Sequence, residues 1–351
     1  MGRFPKDAAA VNFHPNGVER MTETPAIQVE SLSKTYSEGL VFRKRFEALQ
    51  DVSFTVARGE VYGLLGPNGA GKTTFLKIML GIISKTSGRA SMLGFPAGAR
   101  AGRRLVGYLP EHLRIPRHMN AYTALECYGN LSGVSNKKIR ARQDELLELV
   151  GLADRAQDRC KTYSKGMLQR LGLAQTLLHE PDLVVLDEPT DGLDPGARAE
   201  VRDIIHKLAD KGVTIFLNSH LLHEVEMICK QVAILNRGVL RYSGSVEAIG
   251  DFVGGLRGEA EQVANLEITV VGDPNAVNES FAGRTFEILN RIGENEFAVR
   301  VQSADQASTD QLVDVLRNND VSIVDLVPSQ VSLEDAFLKI VEDAKADKAN
   351  Q

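Results

Sequence analysis

Cysteine is scarce, with three in 351 residues. Cys127, Cys160 and Cys229 lie far apart, and none joins another cysteine or a histidine at metal-ligand spacing. So low and odd a count excludes a disulfide scaffold and fits a reducing compartment. Long apolar runs are also missing. The longest, residues 75–83, is interrupted by Lys77 and falls well short of the ~18 residues that cross a bilayer. Residues 1–25 contain no apolar stretch of the secretory type, so the expectation is a chain with neither signal peptide nor anchor. Positive charge is not in excess. The 41 Lys and Arg against 46 Asp and Glu leave a net charge of −5, which excludes a general electrostatic attraction to nucleic acid or an anionic leaflet. Glycine at 31 and proline at 12 are too few for a collagen-like or linker-like chain.

What is present is an alternation of short apolar runs with helical stretches. The length suggests two domains. Residues 1–25 lack periodicity and read as a disordered lead-in. From residue 26 to about 250, strand-like runs at 52–56, 61–65, 183–186, 213–217 and 232–235 are separated by helical patterns. One such pattern places Val201, Ile204, Ile205 and Leu208 on one face. This is the pattern of an α/β domain with a largely parallel sheet. The stretch 251–262 reads as a linker. Beyond it, 263–345 form a smaller α+β unit, with strands at 266–271, 285–290, 296–301 and 321–327 and helices at 309–318 and 333–343, before a polar, frayed tail.

Two local patterns carry chemistry. Gly66, Pro67, Asn68, Gly69, Ala70, Gly71, Lys72 and Thr73 fit G-x-x-x-x-G-K-[ST], after an apolar strand and before an apolar-periodic helix. Glycines let backbone N–H groups ring an anion, and the following helix aims its positive end at it. Lys72 is then placed for β/γ-phosphates and Thr73 for Mg²⁺. The bland alternative, a glycine-rich turn, does not require the flanking strand and helix. Farther on, the buried-strand pattern 183–186 ends in Asp187 and Glu188. A lone acid pair is usually a solvated strand end. Beside a phosphate loop it reads as an Mg²⁺ ligand, Asp187, and a base for water, Glu188.

With these residues in place, residues 27–245 resemble an ATP-binding-cassette (ABC) ATPase subunit. Tyr163, Ser164, Lys165, Gly166, Met167, Leu168 and Gln169 are similar to the family signature in degenerate form. Ser164 and Gly166 keep the key positions, while Lys165 and Met167 replace the usual residues. The resemblance implies that Ser164, Lys165, Gly166 and Met167 meet the nucleotide of a second subunit. Asp191, Gly192, Leu193 and Asp194 resemble the D-loop, with Asp194 carried over. Ser219 and His220 resemble the switch histidine, Tyr36 the aromatic stacked on adenine, and Thr74 a further nucleotide contact. Glu111 stands where the family usually has glutamine, and the resemblance implies a role in holding Mg²⁺. Residues 328–338 are similar to the C-terminal end of bacterial exporter ATPases.

The resemblance implies a P-loop α/β core with a helical subdomain near 115–180. It also implies MgATP hydrolysis in a head-to-tail dimer, and a separate integral membrane permease that holds the chain on the cytoplasmic face and performs export. The permease's coupling helix is expected near 112–130. No nucleic acid is expected. Alternatives are a non-transport member acting in translation or DNA repair, a P-loop kinase or GTPase of another class, and a regulatory ATP-binding module. The translation type has two cassettes and the repair type a coiled-coil insertion. The other P-loop classes lack the Ser164 pattern and the Ser219–His220 pair.

Overall fold

The computed structural model describes residues 11–13, 19–21, 24–38, 44–249, 252, 264–303, 306–328 and 333–349. The chain divides into two compact units, Met1–Val246 and Glu247–Gln351. Most of the stretch read as a linker, and most of the lead-in, lie outside the described residues. Within the lead-in, β1 (Val11–Phe13) and β2 (Glu19–Met21) form a short antiparallel ladder, a departure from the expected disorder. The ladder pairs backbone groups that would otherwise need water.

The first unit is built on a ten-stranded sheet. Four of its strands place the chemistry: β5 (Val61–Leu65), β8 (Val106–Leu109), β9 (Leu183–Asp187) and β10 (Thr214–Asn218). They run parallel in the order β5-β10-β9-β8, with β11 (Gln231–Asn236) parallel on the other side of β5. Strands β5, β9 and β10 are buried along their whole length, as expected of strands with helices on both faces. All four therefore end at one edge of the sheet, and the segments that follow them meet there.

The rest of the sheet is mixed. It contains β3 (Ile27–Glu38), β4 (Lys44–Val56), β6 (Ser87–Met92), β7 (Phe95–Pro96) and β12 (Val239–Ser245). Strand β3 pairs antiparallel with both β4 and β6, and β12 with β11, while β12 meets β4 in parallel. The expected largely parallel sheet thus holds for the half bearing the strand ends, and the other half is mostly antiparallel. The reason lies in irregular pairing. Strand β3 shifts register between Val29 and Leu32, and Ser31 and Asp51 adopt positive φ. Such bulges break the period-2 alternation by which a strand is read.

Helix α1 (Lys72–Met79) follows the phosphate loop, and a short helix, α2 (Arg100–Arg103), precedes β8. Helices α3 (Ala121–Leu131), α4 (Asn136–Leu149) and α5 (Lys165–Leu177) form the helical region expected near 115–180. Helix α5 buries more than one face: Gly172, Leu173 and Ala174 are buried together with Leu171 and Leu177. Helix α6 (Pro195–Asp210) buries Val201, Ile204, Ile205 and Leu208, as its spacing requires. Helix α7 (Leu222–Ile228) follows β10.

The second unit holds a four-stranded antiparallel sheet made of β13 (Ala264–Val271), β14 (Phe286–Arg291), β15 (Glu296–Ser303) and β16 (Ser322–Pro328). Alternate residues Leu266, Ile268 and Val270 of β13 and Phe297, Val299 and Val301 of β15 form one core with Val277 of α8 (Pro274–Ser280) and Leu312 and Leu316 of α9 (Gln306–Asn318). Helix α10 (Leu333–Ala349) runs through the tail expected to fray, because that tail contains no Gly or Pro to stop it before its end.

In the first unit, Phe54, Tyr62, Phe75 and Phe216 stack around one point, with Phe54–Phe75 centroids 5.3 Å apart and Phe75–Phe216 5.8 Å. Phe216 is wholly buried in the middle of β10. Its replacement by alanine leaves a cavity between strand and α1, and is expected to cost about 3–5 kcal/mol. Urea unfolding of the full chain, followed by the far-ultraviolet signal of the first unit's transition, measures this.

Candidate functional site

The phosphate loop joins the end of β5 to the start of α1. Gly71, its last residue before the helix, has φ 108°, and no side chain caps the helix. The first intrahelical bond runs from Phe75 N–H to the Gly71 carbonyl at 2.9 Å. The backbone N–H groups of the first turn are therefore left to an external acceptor, at the positive end of the helix. Only glycine can hold this position: a Cβ at Gly71 would lie 2.5 Å from the Ala48 carbonyl oxygen of β4. The loop is thus clamped to a neighbouring strand.

Lys72 is almost wholly buried, and its ammonium donates to the Gly66 carbonyl at 2.5 Å. Burial lowers its pKa, and the carboxylates of Glu188, Asp187 and Glu111 oppose that shift. The ammonium is thus desolvated and faces three acids, so its charge is directed at the cleft.

Asp187 ends β9 and is buried. Asn218, the last residue of the adjacent strand and in register with it, donates its side-chain amide to Asp187 Oδ1 at 2.5 Å. The Tyr108 hydroxyl of β8 donates to Oδ2 at 3.3 Å, and burial together with the acid pushes the phenol up to about 12. Two neighbouring strands therefore fix the orientation of the carboxylate. Glu188 leaves the strand with φ 50°. This turn carries its side chain to His220. Glu188 Oε2 accepts the His220 backbone N–H at 3.2 Å and lies 2.8 Å from His220 Nδ1. Burial raises the Glu188 pKa, and His220 and Lys72 pull it back. A carboxylate made more basic by burial, with one oxygen already held by a histidine, is suited to take a proton from water.

These groups line one open cleft of about 460 Å³, together with Pro67, Asn68, Gly69, Ala70, Thr73, Thr74 and Glu111. Glu111 is half-exposed, 3.4 Å from the His112 ring. The hydroxyl of Thr73 and the carboxylates of Asp187 and Glu111 are hard oxygen donors, the set that suits Mg²⁺. Other expected residues lie elsewhere. Ser164 is the N-cap of α5 and accepts Met167 N–H at 3.2 Å. Gly166 packs against α6, where an added Cβ would lie 2.7 Å from Ala197 Cβ. Lys165 donates to the Asp191 carbonyl at 2.6 Å. Asp194 caps α6, accepting Ala197 N–H at 2.9 Å. Among the described residues, Ser164, Lys165, Gly166, Met167, Asp194 and Tyr36 do not line the cleft. Sequence reasoning missed Phe46, Ala48 and Asn218, which do, and carried over Asp194 where Asp191 of the same motif lines the cleft; it also missed Tyr108, which holds Asp187 from behind.

Comparison with known proteins bears on this arrangement. The family model described as ABC transporter matches residues 49–191. An uncharacterized ABC transporter ATP-binding protein of Synechocystis sp. is 38% identical over 90% of this chain and 86% of its own length. The chain belongs to the ABC transporter ATP-binding protein family. The Nod factor export ATP-binding protein I of a Rhizobium species is 36% identical over 64% of the chain and 72% of that protein. A solved ATP-binding subunit of an ABC transporter superposes with a TM-score of 0.57 at 31% identity, covering 67% of this chain and 95% of that one. The P-loop fold of an ABC ATPase is thereby shown for this family member. The Synechocystis relative is matched over a span that includes most of the second unit as well. Among the described residues, no helix is long and apolar enough to cross a membrane.

The hold on Asp187 in this ABC subunit can be tested without ligand. Asn218→Ala leaves a buried carboxylate oxygen without its amide donor, and is expected to cost about 1.5–3 kcal/mol, the range for a bond to a charged group. Tyr108→Phe removes a longer bond and should cost less. Urea midpoints at unchanged slope give both values.

Proposed function

We propose that this ABC ATP-binding subunit hydrolyses MgATP and drives export through a separate integral membrane permease. The observation that carries the catalytic reading is the Glu188–His220 pair, 2.8 Å apart, lining the same cleft as the uncapped start of α1. The triphosphate lies along residues 66–74, with backbone N–H groups and Lys72 neutralising its β- and γ-phosphates. Thr73 and Asp187, with Glu111 beside them, would hold Mg²⁺, which would neutralise phosphate charge. Glu188 takes the proton of the attacking water as its oxygen bonds to the γ-phosphorus. The bond from that phosphorus to the bridging oxygen breaks, and ADP leaves with the electron pair. His220 keeps Glu188 aimed at the water.

Two subunits close head to tail. The α5 start at Ser164, Lys165, Gly166 and Met167 reaches the partner's nucleotide, and Asp194 lies at the contact. The exposed, Ser164-capped N-terminus of α5 supports this assignment, since it offers a second helix end to an anion. Export is supported by the name of the Rhizobium relative, an export ATP-binding protein, and a place on the cytoplasmic face of the membrane beside the permease goes with that reading. The permease's coupling helix docks near residues 112–130.

Two variants test the chemistry. Glu188→Gln is nearly isosteric and cannot take the proton. ATP affinity should persist while phosphate release falls by about 10²–10⁴-fold, the usual worth of a general base. Undiminished turnover would remove Glu188 from the mechanism. Lys72→Ala deletes the ammonium facing the phosphates, and equilibrium binding should weaken about ten- to hundredfold, the equivalent of one charged hydrogen bond. Equal affinity in the two proteins would argue against the phosphate-loop assignment.

A further inference from the structure

The segment that carries the chain from Glu188 to α6 is weakly tied by its own backbone. Within it the Asp191 N–H meets the Glu188 carbonyl at 3.2 Å and the Leu193 N–H meets the Thr190 carbonyl at 3.3 Å, at or beyond the long end of the range for such bonds. Yet Glu188 sits at φ 50°, a conformation that persists only where its surroundings hold it. Where the segment leaves the sheet, the Asn218 carbonyl accepts the Glu188 N–H at 2.9 Å. Farther on, side chains hold the carbonyls. Arg198 Nε donates to the Leu193 carbonyl at 3.0 Å, and Lys165 Nζ to the Asp191 carbonyl at 2.6 Å, the shortest of these bonds.

Lys165 is the first residue of α5, and its root is fixed. Helix α5 is seated on α6 at Gly166 and Ala197, and Arg170, one turn on and largely buried, pairs with Glu200 of α6 at 3.3 Å. The Lys165 ammonium enters the room left by the missing side chain of Gly192. Gly192 has φ 62°, so the turn itself requires glycine there. The Asp191 carboxylate is farther from the ammonium, at 3.8 Å, and both side chains are about half-exposed. That ion pair is screened and weak, so the bond to the backbone is the one that matters.

We propose that the Lys165 side chain is a positioning residue for the base of its own subunit: by holding the Asp191 carbonyl, it keeps the Glu188–Asp191 turn in the form that aims Glu188 at His220 and the water. This rests on the reading of Glu188 as the base. The start of α5 then offers a partner's nucleotide its Ser164 hydroxyl and its backbone N–H groups, while the ammonium of Lys165 serves the loop beside it. A donor engaged in a charge-assisted bond must give that bond up before it can serve a second acceptor. Without the bond the turn relaxes, and a displaced base costs rate rather than nucleotide affinity.

Steady-state phosphate release by the full chain, over a range of MgATP and of protein concentration, tests this. Lys165→Met keeps the apolar stem and removes the donor. Its kcat should fall about two- to tenfold, the equivalent of one ordinary hydrogen bond, at unchanged KM. The loss should be the same at low and high protein concentration, because the bond lies within one subunit. Lys165→Arg keeps a donor for the carbonyl and should recover most of the rate. The proposal is overturned if Lys165→Met turns over like the parent, if Lys165→Arg restores nothing, or if the effect is a raised KM. It is also overturned if the loss disappears as protein concentration rises, the result expected of an ammonium that binds the partner's phosphate and so strengthens association. A parent that releases no phosphate, or one whose turnover survives Glu188→Gln, would instead defeat the catalytic reading on which the proposal stands.

Discussion

Helix α1 starts with bare backbone N–H groups and an almost wholly buried ammonium, and much of the first unit is arranged around that uncompensated positive end. No side chain caps the helix. Lys72 is desolvated enough that burial outweighs three nearby acids in setting its pKa. A buried charge without an adequate partner is costly, so the site is stable only with carboxylates close by or an anion in place. Asp187, Glu188 and Glu111 supply the first condition. Parallel strand order supplies the proximity, because β5, β9 and β10 are hydrogen-bonded neighbours ending at one edge. The same crowding explains two of the loop's three glycines. At Gly66 an added Cβ would lie 2.4 Å from the Leu235 carbonyl oxygen, and at Gly71 2.5 Å from that of Ala48. The loop is thus pressed between two strands, which stiffens it before any ligand arrives.

What was legible in the sequence follows from which features are local. The phosphate loop is a contiguous pattern whose glycines and lysine act on their own backbone, so reading it requires no tertiary knowledge. Asp187 is similar: four apolar residues mark a buried strand and the acid marks its end. Tyr108 and Asn218 were not legible. Their contacts with Asp187 depend on the parallel register that sets Asn218 beside Asp187, and a register between distant strands leaves no trace in spacing. Phe46 was hidden for a similar reason. It stands in a charged stretch with no apolar alternation, and its place at the cleft comes from β4 being clamped against Gly71. The antiparallel half was obscured by its bulges, whereas the second unit's β13 and β15 alternate cleanly and were read nearly to their ends.

Glu188 shows how backbone and chemistry combine. Its positive φ carries a strain that a bulky residue adopts rarely. The turn is held by its N–H bonding to the Asn218 carbonyl at 2.9 Å and by the Asp191 N–H returning to the Glu188 carbonyl at 3.2 Å. Had the strand continued, Glu188 would point to the opposite face from Asp187. The turn instead directs it to His220, whose position is set by the end of the neighbouring strand. The base and the histidine that holds it are thus paired by two adjacent strand ends, and the same Asn218 serves both acids, with its amide on Asp187 and its carbonyl on Glu188.

The loop that leaves Glu188 is tied to the helical region as well. Lys165, the residue after the α5 cap, bonds the Asp191 carbonyl at 2.6 Å, with the Asp191 carboxylate 3.8 Å away. Its ammonium lies where an added Cβ on Gly192 would be, 2.3 Å from it. Gly166 meets Ala197 one turn into α6. The starts of α5 and α6 and the loop between Glu188 and Asp194 therefore form one packed junction. A side chain at Gly192 would displace Lys165, and one at Gly166 would separate the two helices. The family resemblance implies that the Lys165 charge meets a second subunit's phosphate, whereas within this subunit it is engaged by Asp191. Within this subunit the start of α5 and the loop that follows Glu188 are thus joined through a single side chain.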